Sequence, residues 1–447
     1  MKTADAIART SAIGNSASVV PMAAGPELTE GEPAAALRPA WAEVDLDALT
    51  SNLAGLRRLA APAGVLAVVK ADAYGHGAPR VARALEEAGA EWAGVAMLEE
   101  ALELRRAGVG LPVLVLGTAH EGQIPLYRRH WLTPTVSSLD QLEMWRARAG
   151  GGGGGEGPTE VHLKIDTGMH RLGVPAEAAA EALERLRGEP GLRLAGLLSH
   201  FAEANEPESA ASSEQERRFA AVVELLTAAE RERVVVHLAN SAGLLHQPSA
   251  RHRLVRLGLS LYGLDPAGEV GGAEAGLAPV LSVAARIVQL RRVAPGEAVG
   301  YGGRWKAARP SDVAVVPVGY ADGYPWRLSL AGTPAGAPPA KSSAAASPVA
   351  EALVGGRRVP LAGAVSMDML ALDVTGTGAA VGDEAVLLGR RGGEAITAWE
   401  LARRAGTIPY EVLCGFGRRL PRRYLRGGGV EPGPERRPPE TPGGGAR

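Results

Sequence analysis

The sequence has a single cysteine, no excess of charge of either sign and no long apolar run. Cys414 stands alone in 447 residues, so no disulfide can form within the chain and a reducing compartment is expected. Lys and Arg number 48 against 49 Asp and Glu, a balance that offers nucleic acid and anionic membranes no field to follow. No uninterrupted apolar stretch approaches the roughly 20 residues of a membrane span. Near the start, Lys2 and Arg9 precede residues 11–24, but Gly14, Asn15, Ser16, Ser18 and Pro21 break that segment and make it a poor secretory core. Together these absences lead to an expected cytoplasmic, soluble protein with neither nucleic acid nor membrane as partner.

What is present centres on Val65-Leu66-Ala67-Val68-Val69-Lys70-Ala71-Asp72-Ala73-Tyr74-Gly75-His76-Gly77. Its first half is the apolar, Val-rich run of a strand buried on both faces. The strand ends on a lysine. Burying an ammonium costs several kcal/mol unless it is paired or its pKa falls. An amine with a depressed pKa is the nucleophile that forms Schiff bases with carbonyls. On Lys70 alone, that reading and a salt-bridged strand end stand about even.

Along the chain, residues 1–38 are rich in Ala, Ser, Gly and Pro and read as a disordered extension. Residues 42–45 form a short candidate strand, and Asp47 is the candidate cap of a helix reaching residue 56. Candidate strands then fall at 65–70, 92–97, 112–116, 133–136, 160–166, 192–200, 234–239 and 254–259, with Ala/Leu/Glu/Arg-rich helical segments between most of them. Eight such units in roughly 200 residues argue for a closed parallel barrel, although an open doubly wound sheet uses the same elements. Residues 150–155 are all glycine, a flexible insertion. After residue 276 the segments 280–288, 313–318, 359–361, 370–374 and 384–388 are short, rich in Val, Leu and Ala, and separated by Gly/Pro turns, as in a small β domain.

The expected fold class is therefore α/β: a TIM-like (β/α)8 barrel followed by a smaller, mostly β C-terminal domain. The barrel domain spans 39–275, and its first short strand, 41–45, is a candidate for the second domain's sheet. The β-rich domain spans 276–426 with a low-complexity insertion at 331–350, and 427–447 is an expected disordered tail.

Working residues of a βα barrel project from the C-terminal ends of its strands. There the sequence places Lys70, then Lys164-Ile165-Asp166-Thr167-Gly168-Met169-His170-Arg171, then His200, Ser241, and Arg256-Leu257-Gly258-Leu259. The ends of strands seven and eight are the usual phosphate corner of this fold. Ser241 offers a hydroxyl there, and Gly258 and Leu259 offer backbone N–H groups. Ser241 alone reads more readily as a helix N-cap, a preference reversed by two separate stretches pointing at one corner.

Segments 45–56, 66–77, 162–174, 199–202, 237–243, 255–263, 300–301, 318–324, 366–368 and 407–419 resemble, in order, those of the alanine racemase family. The resemblance covers about residues 40–426. It implies a racemase that interconverts L- and D-alanine with pyridoxal phosphate and two catalytic bases, supplying D-alanine for peptidoglycan. It also implies a homodimer in which Tyr301 and Met367 complete the partner's site. Residue by residue, Lys70 matches the Schiff-base lysine and one base, and Tyr301 matches the opposing base. Tyr74, Ser241, Gly258, Leu259 and Tyr410 match the phosphate shell, and His200 the imidazole beside the cofactor ring. Arg256 matches the arginine at the pyridine nitrogen, Arg171 and Met367 the substrate-binding groups, and Lys164 a lysine often carbamylated. No metal is implied. Ala364 departs from the family at a position where many members carry an entry-path arginine, which leaves a racemase of broader range as the alternative. A barrel-type amino-acid decarboxylase matches less of both domains, and a single-domain pyridoxal-phosphate carrier would have no use for Tyr301 or Met367.

Overall fold

Eight parallel strands that close on themselves position the first set of residues. The computed structural model describes residues 38–148, 157–206, 209–268, 276–330 and 350–431, with Pro39 onward in one unit. After β1 (Ala40–Asp45) and α1 (Leu46–Ala60) come β2 (Gly64–Val68), β3 (Trp92–Val95), β4 (Val113–Val115), β5 (Leu132–Val136), β6 (Thr159–Asp166), β7 (Leu192–Leu198), β8 (Val235–His237) and β9 (Leu254–Leu257). Neighbours from β2 to β8 pair in parallel, and β9 returns to pair with β2. The last seam is made by Arg253 N–H to Val236 O at 3.1 Å and Arg256 N–H to Ala239 O at 2.9 Å. Each of the eight expected strands has its counterpart, and closure decides against the open sheet.

The apolar runs follow from this closure. Val65, Leu66 and Ala67 are wholly buried because successive side chains meet either the barrel interior or the helical layer outside. A Cβ on Gly94 would stand 2.4 Å from Leu66 Cδ2, so the interior leaves no room for one.

β1 joins the second domain rather than the barrel. It lies between β10 (Leu281–Arg286), with which it is antiparallel, and a parallel C-terminal strand, Arg422–Arg426. The same sheet continues from β10 through Glu384–Arg391, Glu351–Val354 and Arg357–Pro360. A separate three-stranded sheet holds Gln289–Val293, Ser311–Val316 and Leu370–Asp373. The expected strand 280–288 is thus two. Ile287 N–H bonds Asp383 O, but Val288 N–H bonds Val315 O, so the chain changes sheet between adjacent residues. Two helices, Ala398–Ala405 and Pro409–Gly415, lie among these strands.

Two local expectations are corrected. Asp45, not Asp47, caps α1, its carboxylate accepting from Ala48 N–H at 2.8 Å. Asp47 instead accepts from Gly427 N–H at 2.6 Å. Residues 427–431, assigned to the unfolded tail, turn back so that Gly429–Val430 pairs with Leu425 and Arg426. The remaining low-complexity stretches, 1–37, 149–156, 331–349 and 432–447, lie outside the described residues. No helix among the described residues is long and apolar enough to cross a membrane.

Candidate active site

Lys70 follows β2 and opens a backbone turn of the wrong hand. Ala71, Asp72, Ala73 and Tyr74 have φ between 53° and 54°, four successive non-glycine residues in the left-handed region. That conformation costs roughly 1–2 kcal/mol per residue, so the surroundings must impose it. Ala71 N–H donates to Glu100 Oε1 at 2.6 Å, and Ala78 N–H to Asp72 Oδ1 at 2.8 Å. His76 lies wholly buried behind the turn, with Nδ1 at 2.9 Å from Ala73 O and 3.0 Å from Tyr74 O. Carbonyls only accept, so Nδ1 carries the proton, and burial takes the imidazole down to about 4.

The turn aims Lys70 at a group of cations on the other strand ends. Burial and then the charge of Arg171 lower the Lys70 ammonium. Lys164 on β6 is 7 % exposed, and burial together with Arg256 and Arg171 takes it down to about 8. Arg256, at 4 % exposure, falls to about 10 through burial. So much positive charge in one mouth suits an anionic ligand.

Arg256 is fixed by its neighbours. Nη1 donates to His237 O at 3.0 Å and His237 Nδ1 at 3.1 Å. Nη2 donates to Ser199 O at 2.7 Å, Leu238 O at 2.9 Å and His200 Nδ1 at 3.1 Å. Since a guanidinium only donates, both imidazoles present lone pairs to it. His237 must then donate through Nε2 to His162 Nδ1, 3.0 Å away. Burial and the Arg256 charge hold all three histidines low, His162 at about 3. A Cβ on Gly196 would stand 2.4 Å from His162 Nδ1, which is why glycine faces that ring. Sequence reasoning missed His162 and His237; within β-strands they look like ordinary core positions.

The phosphate corner is equally specific. Ser241 Oγ, buried, accepts Gly258 N–H at 2.9 Å and Ser260 N–H at 3.4 Å. Asn240, not Ser241, caps the helix Ser241–His246, accepting from Gly243 N–H at 2.8 Å. The plain N-cap alternative for Ser241 is thereby removed. A Cβ on Gly258 would lie 2.6 Å from the Tyr74 hydroxyl, so Tyr74, Ser241 and Gly258 converge on one spot. The Tyr74 ring is 4.9 Å from that of Tyr262 and 6.0 Å from that of Tyr410. Tyr262, also missed, donates to Val68 O at 2.9 Å and so ties the end of β2 to this corner. Leu259 opens the 3₁₀ turn Leu259–Tyr262 beside it.

Tyr301 and Met367 stand apart from this cluster. Tyr301 is 76 % exposed after Gly300, whose φ is 73°, and Met367 is 53 % exposed. No hydrogen bond or ring contact joins either side chain to Lys70 or Arg256 among the described residues. Tyr301 instead lines a cavity of about 430 Å³ with Ala364, Ser366 and Met369. A second cavity, about 1230 Å³, runs from Tyr262–Asp265 to Ala398–Arg404 and is lined by none of Lys70, Arg256, Tyr301 and Met367.

A lysine at a βα-barrel strand end, with Tyr74, Ser241 and Gly258 converging in one corner and a buried arginine, is the arrangement of a barrel enzyme with its site at the strand ends. The comparisons specify the family. Models described as "Alanine racemase, N-terminal domain" and "Alanine racemase, C-terminal domain" match residues 44–266 and 280–424. The alanine racemase of Symbiobacterium thermophilum is 40% identical over 395 residues, covering 87% of this chain and 97% of its own. That of Sorangium cellulosum is 41% identical over 400 residues, with 87% and 99% covered. Among solved structures, the biosynthetic alanine racemase of Pseudomonas aeruginosa superposes with TM-score 0.74 at 39% identity, over 87% of this chain and all of its own. The Bacillus anthracis alanine racemase with bound L-Ala-P superposes with TM-score 0.76 at 32% identity, over 88% and 96%. The chain belongs to the alanine racemase family.

Proposed function

We propose that this protein interconverts L- and D-alanine with pyridoxal phosphate, as a homodimer whose sites combine Lys70 of one subunit with Tyr301 and Met367 of the other. The observation that carries the reading is the convergence of Lys70, the Tyr74–Ser241–Gly258 corner and Arg256 at one barrel mouth. These residues fit the cofactor. Ser241 Oγ only accepts, from Gly258 and Ser260 N–H, which leaves its hydroxyl proton to donate, and a Cβ at residue 258 would meet the Tyr74 hydroxyl. Tyr74, Ser241, Gly258, Leu259 and Tyr410 would hold the phosphate, with His200 beside the ring. When bound, pyridoxal phosphate supplies an electron sink that makes the α-hydrogen of an amino acid acidic.

The chain's own residues do the rest. Lys70, lowered by burial and Arg171, keeps a larger neutral fraction than a free lysine and can take a proton on one side of the α-carbon. Tyr301 of the partner subunit would serve the opposite side, which avoids moving one base around the substrate. Arg256 commits its Nη groups to protein acceptors, so its Nε–H would be the group left to donate to the cofactor's ring nitrogen. A guanidinium, which only donates, would leave that nitrogen an unprotonated acceptor and so would favour proton return over transamination. Arg171 would take the substrate carboxylate. Lys164 has no protein hydrogen bond among the described residues and sits among cations near 8. Its neutral amine can add carbon dioxide, losing one proton, to give an anion that pairs with Arg171.

The expected role is D-alanine supply for peptidoglycan. Ala364 beside Tyr301 leaves space where a larger residue would narrow access. The test is D-alanine formation from L-alanine by purified protein with pyridoxal phosphate, alongside a panel of L-amino acids. No D-alanine under any cofactor loading would refute the reading, and equal rates across bulky amino acids would replace it with a broad-range racemase.

A further inference from the structure

We propose that Arg422 is a positioning residue for Lys70, clamping from the second domain the left-handed turn that presents the amine. The inference rests on the reading of Lys70 as the cofactor's lysine. The Arg422 guanidinium donates to Gly75 O through Nε at 3.2 Å and Nη2 at 2.7 Å. It also donates to Leu420 O at 2.8 Å and to the carbonyls of Gly417 and Phe416. One side chain therefore joins the turn to the segment after the helix Pro409–Gly415, with no carboxylate at ion-pair distance among the described residues. Burial lowers this guanidinium even though Asp72 nearby opposes the shift.

A second contact comes from the same strand. Tyr424 lies two residues on, hence on the same face, and donates to His76 O at 3.2 Å. Both glycines of the turn are tight against this clamp. Gly75 has φ 82°, and a Cβ there would lie 2.4 Å from Leu413 O. Gly77 has φ 93°, and its Cβ would fall 1.9 Å from the Tyr424 hydroxyl. The strand itself is anchored, since Ala42 N–H bonds Pro421 O at 3.0 Å and Ala42 to Asp45 register with Arg422 to Leu425.

The physical need is plain. Residues 71–74 occupy a conformation that side chains resist, and such backbone persists only where its surroundings over-determine it. Glu100 and Asp72 hold the turn on the barrel side, and Arg422 and Tyr424 hold the carbonyls on the far side. Arginine suits the task because its planar fork can serve several carbonyls at fixed angles, which a single ammonium cannot.

The test uses the full-length holoenzyme with Arg422→Gln and Arg422→Lys. Three quantities are read: amide hydrogen exchange, the pH midpoint of the lysine-bound cofactor's absorbance, and kcat against KM. Arg422→Gln should speed exchange at residues 71–77 about tenfold while the remote helix Ala179–Arg187 keeps its rate. It should shift the absorbance midpoint and lower kcat up to about 100-fold, with KM for alanine changed much less. Arg422→Lys should fall between the two. Equal acceleration in both segments would mean general destabilisation and overturn the proposal. So would a loosened turn with unchanged midpoint and kcat. If Arg422→Gln does not fold, Tyr424→Phe removes only the bond to His76 O and should show the same pattern in smaller measure. A wrong assignment of Lys70 would appear instead as cofactor still bound covalently in Lys70→Ala, whatever the exchange data show.

Discussion

The turn at Lys70 and the loop at Tyr301 are opposites. The first is strained and gripped on every side: by Glu100 and Asp72, by the buried His76, and by Arg422 from a strand in another sheet. The second is three-quarters exposed, in the loop between the short paired strands Ala298–Val299 and Trp305–Lys306. Under the proposed two-base reaction, both groups need fixed positions on opposite faces of one carbon, and within one chain only Lys70 is held on several sides. In the proposed dimer, a second copy would supply the surroundings that the exposed Tyr301 lacks here.

The strongest way to break this comparison is to damage one region per subunit. Lys70→Ala should abolish both the lysine-bound cofactor absorbance and nearly all racemisation. Tyr301→Phe should keep the absorbance but lose racemisation by orders of magnitude, still exchanging the α-hydrogen of D-alanine in deuterated water faster than that of L-alanine. Mixing the two inactive variants and allowing subunits to exchange should recover about a quarter of wild-type activity, because half of the dimers carry one intact site. No recovery in demonstrably mixed dimers would place both groups in the same chain.

Next in size is the phosphate corner. Gly258→Ala puts a methyl 2.6 Å from the Tyr74 hydroxyl. Overpacking of that kind costs about 1–3 kcal/mol, so cofactor affinity should fall about 10- to 100-fold while alanine KM in saturated enzyme moves little. Unchanged cofactor affinity would remove Gly258 from the cradle.

Acid sharpens the contrast between the two domains. All nine histidines lie between residues 76 and 252, in the barrel half, and none in the second domain. Burial holds His76 at about 4 and His162 at about 3, with His200 and His237 shifted the same way. An unfolded histidine titrates near 6.5, so below that pH the unfolded chain binds protons that the folded barrel refuses. Stability is complete above 6.5 and falls as pH drops toward 4, by up to about 1.4 kcal/mol per pH unit for each such histidine. Hydrogen exchange at pH 5 should accelerate in the barrel strands before the sheet of β1 and β10. Simultaneous acceleration in both would mean that the histidines do not govern the acid response.

Much of this was legible in the residues themselves. Strands buried on both faces write themselves as apolar runs, and a lysine ending such a run at residue 70 stands out. The clamp on that lysine does not. Arg422 lies 347 residues from Gly75 and meets a backbone carbonyl, which leaves no trace in residue type. His237 and His162 were invisible for a related reason, since a buried histidine in a strand looks the same whether or not it accepts from an arginine. Asp47 was the expected cap of α1, yet Asp45 two residues earlier makes the bond. Only the register of β1, with Asp45 opposite Leu425, decides between them.

The smallest effect separates two neighbours that sequence cannot tell apart. Asn240 and Ser241 both have the chemistry of an N-cap, yet only Asn240 accepts from Gly243 N–H, while Ser241 accepts from Gly258 and Ser260 across the corner. Asn240→Ala should therefore cost stability of about 1 kcal/mol, the usual worth of a cap, with cofactor affinity nearly intact. Ser241→Ala keeps the cap but removes the hydroxyl that two backbone N–H groups point to, and with it the group left to donate to phosphate. Its loss should appear mainly as weaker cofactor binding, about tenfold for one hydrogen bond to a charged group. Thermal denaturation without added cofactor and cofactor titration of the same two variants read the separate terms. If Asn240→Ala weakened the cofactor as much as Ser241→Ala, the helix as a whole would hold the phosphate, and the division of labour between these two side chains would be lost.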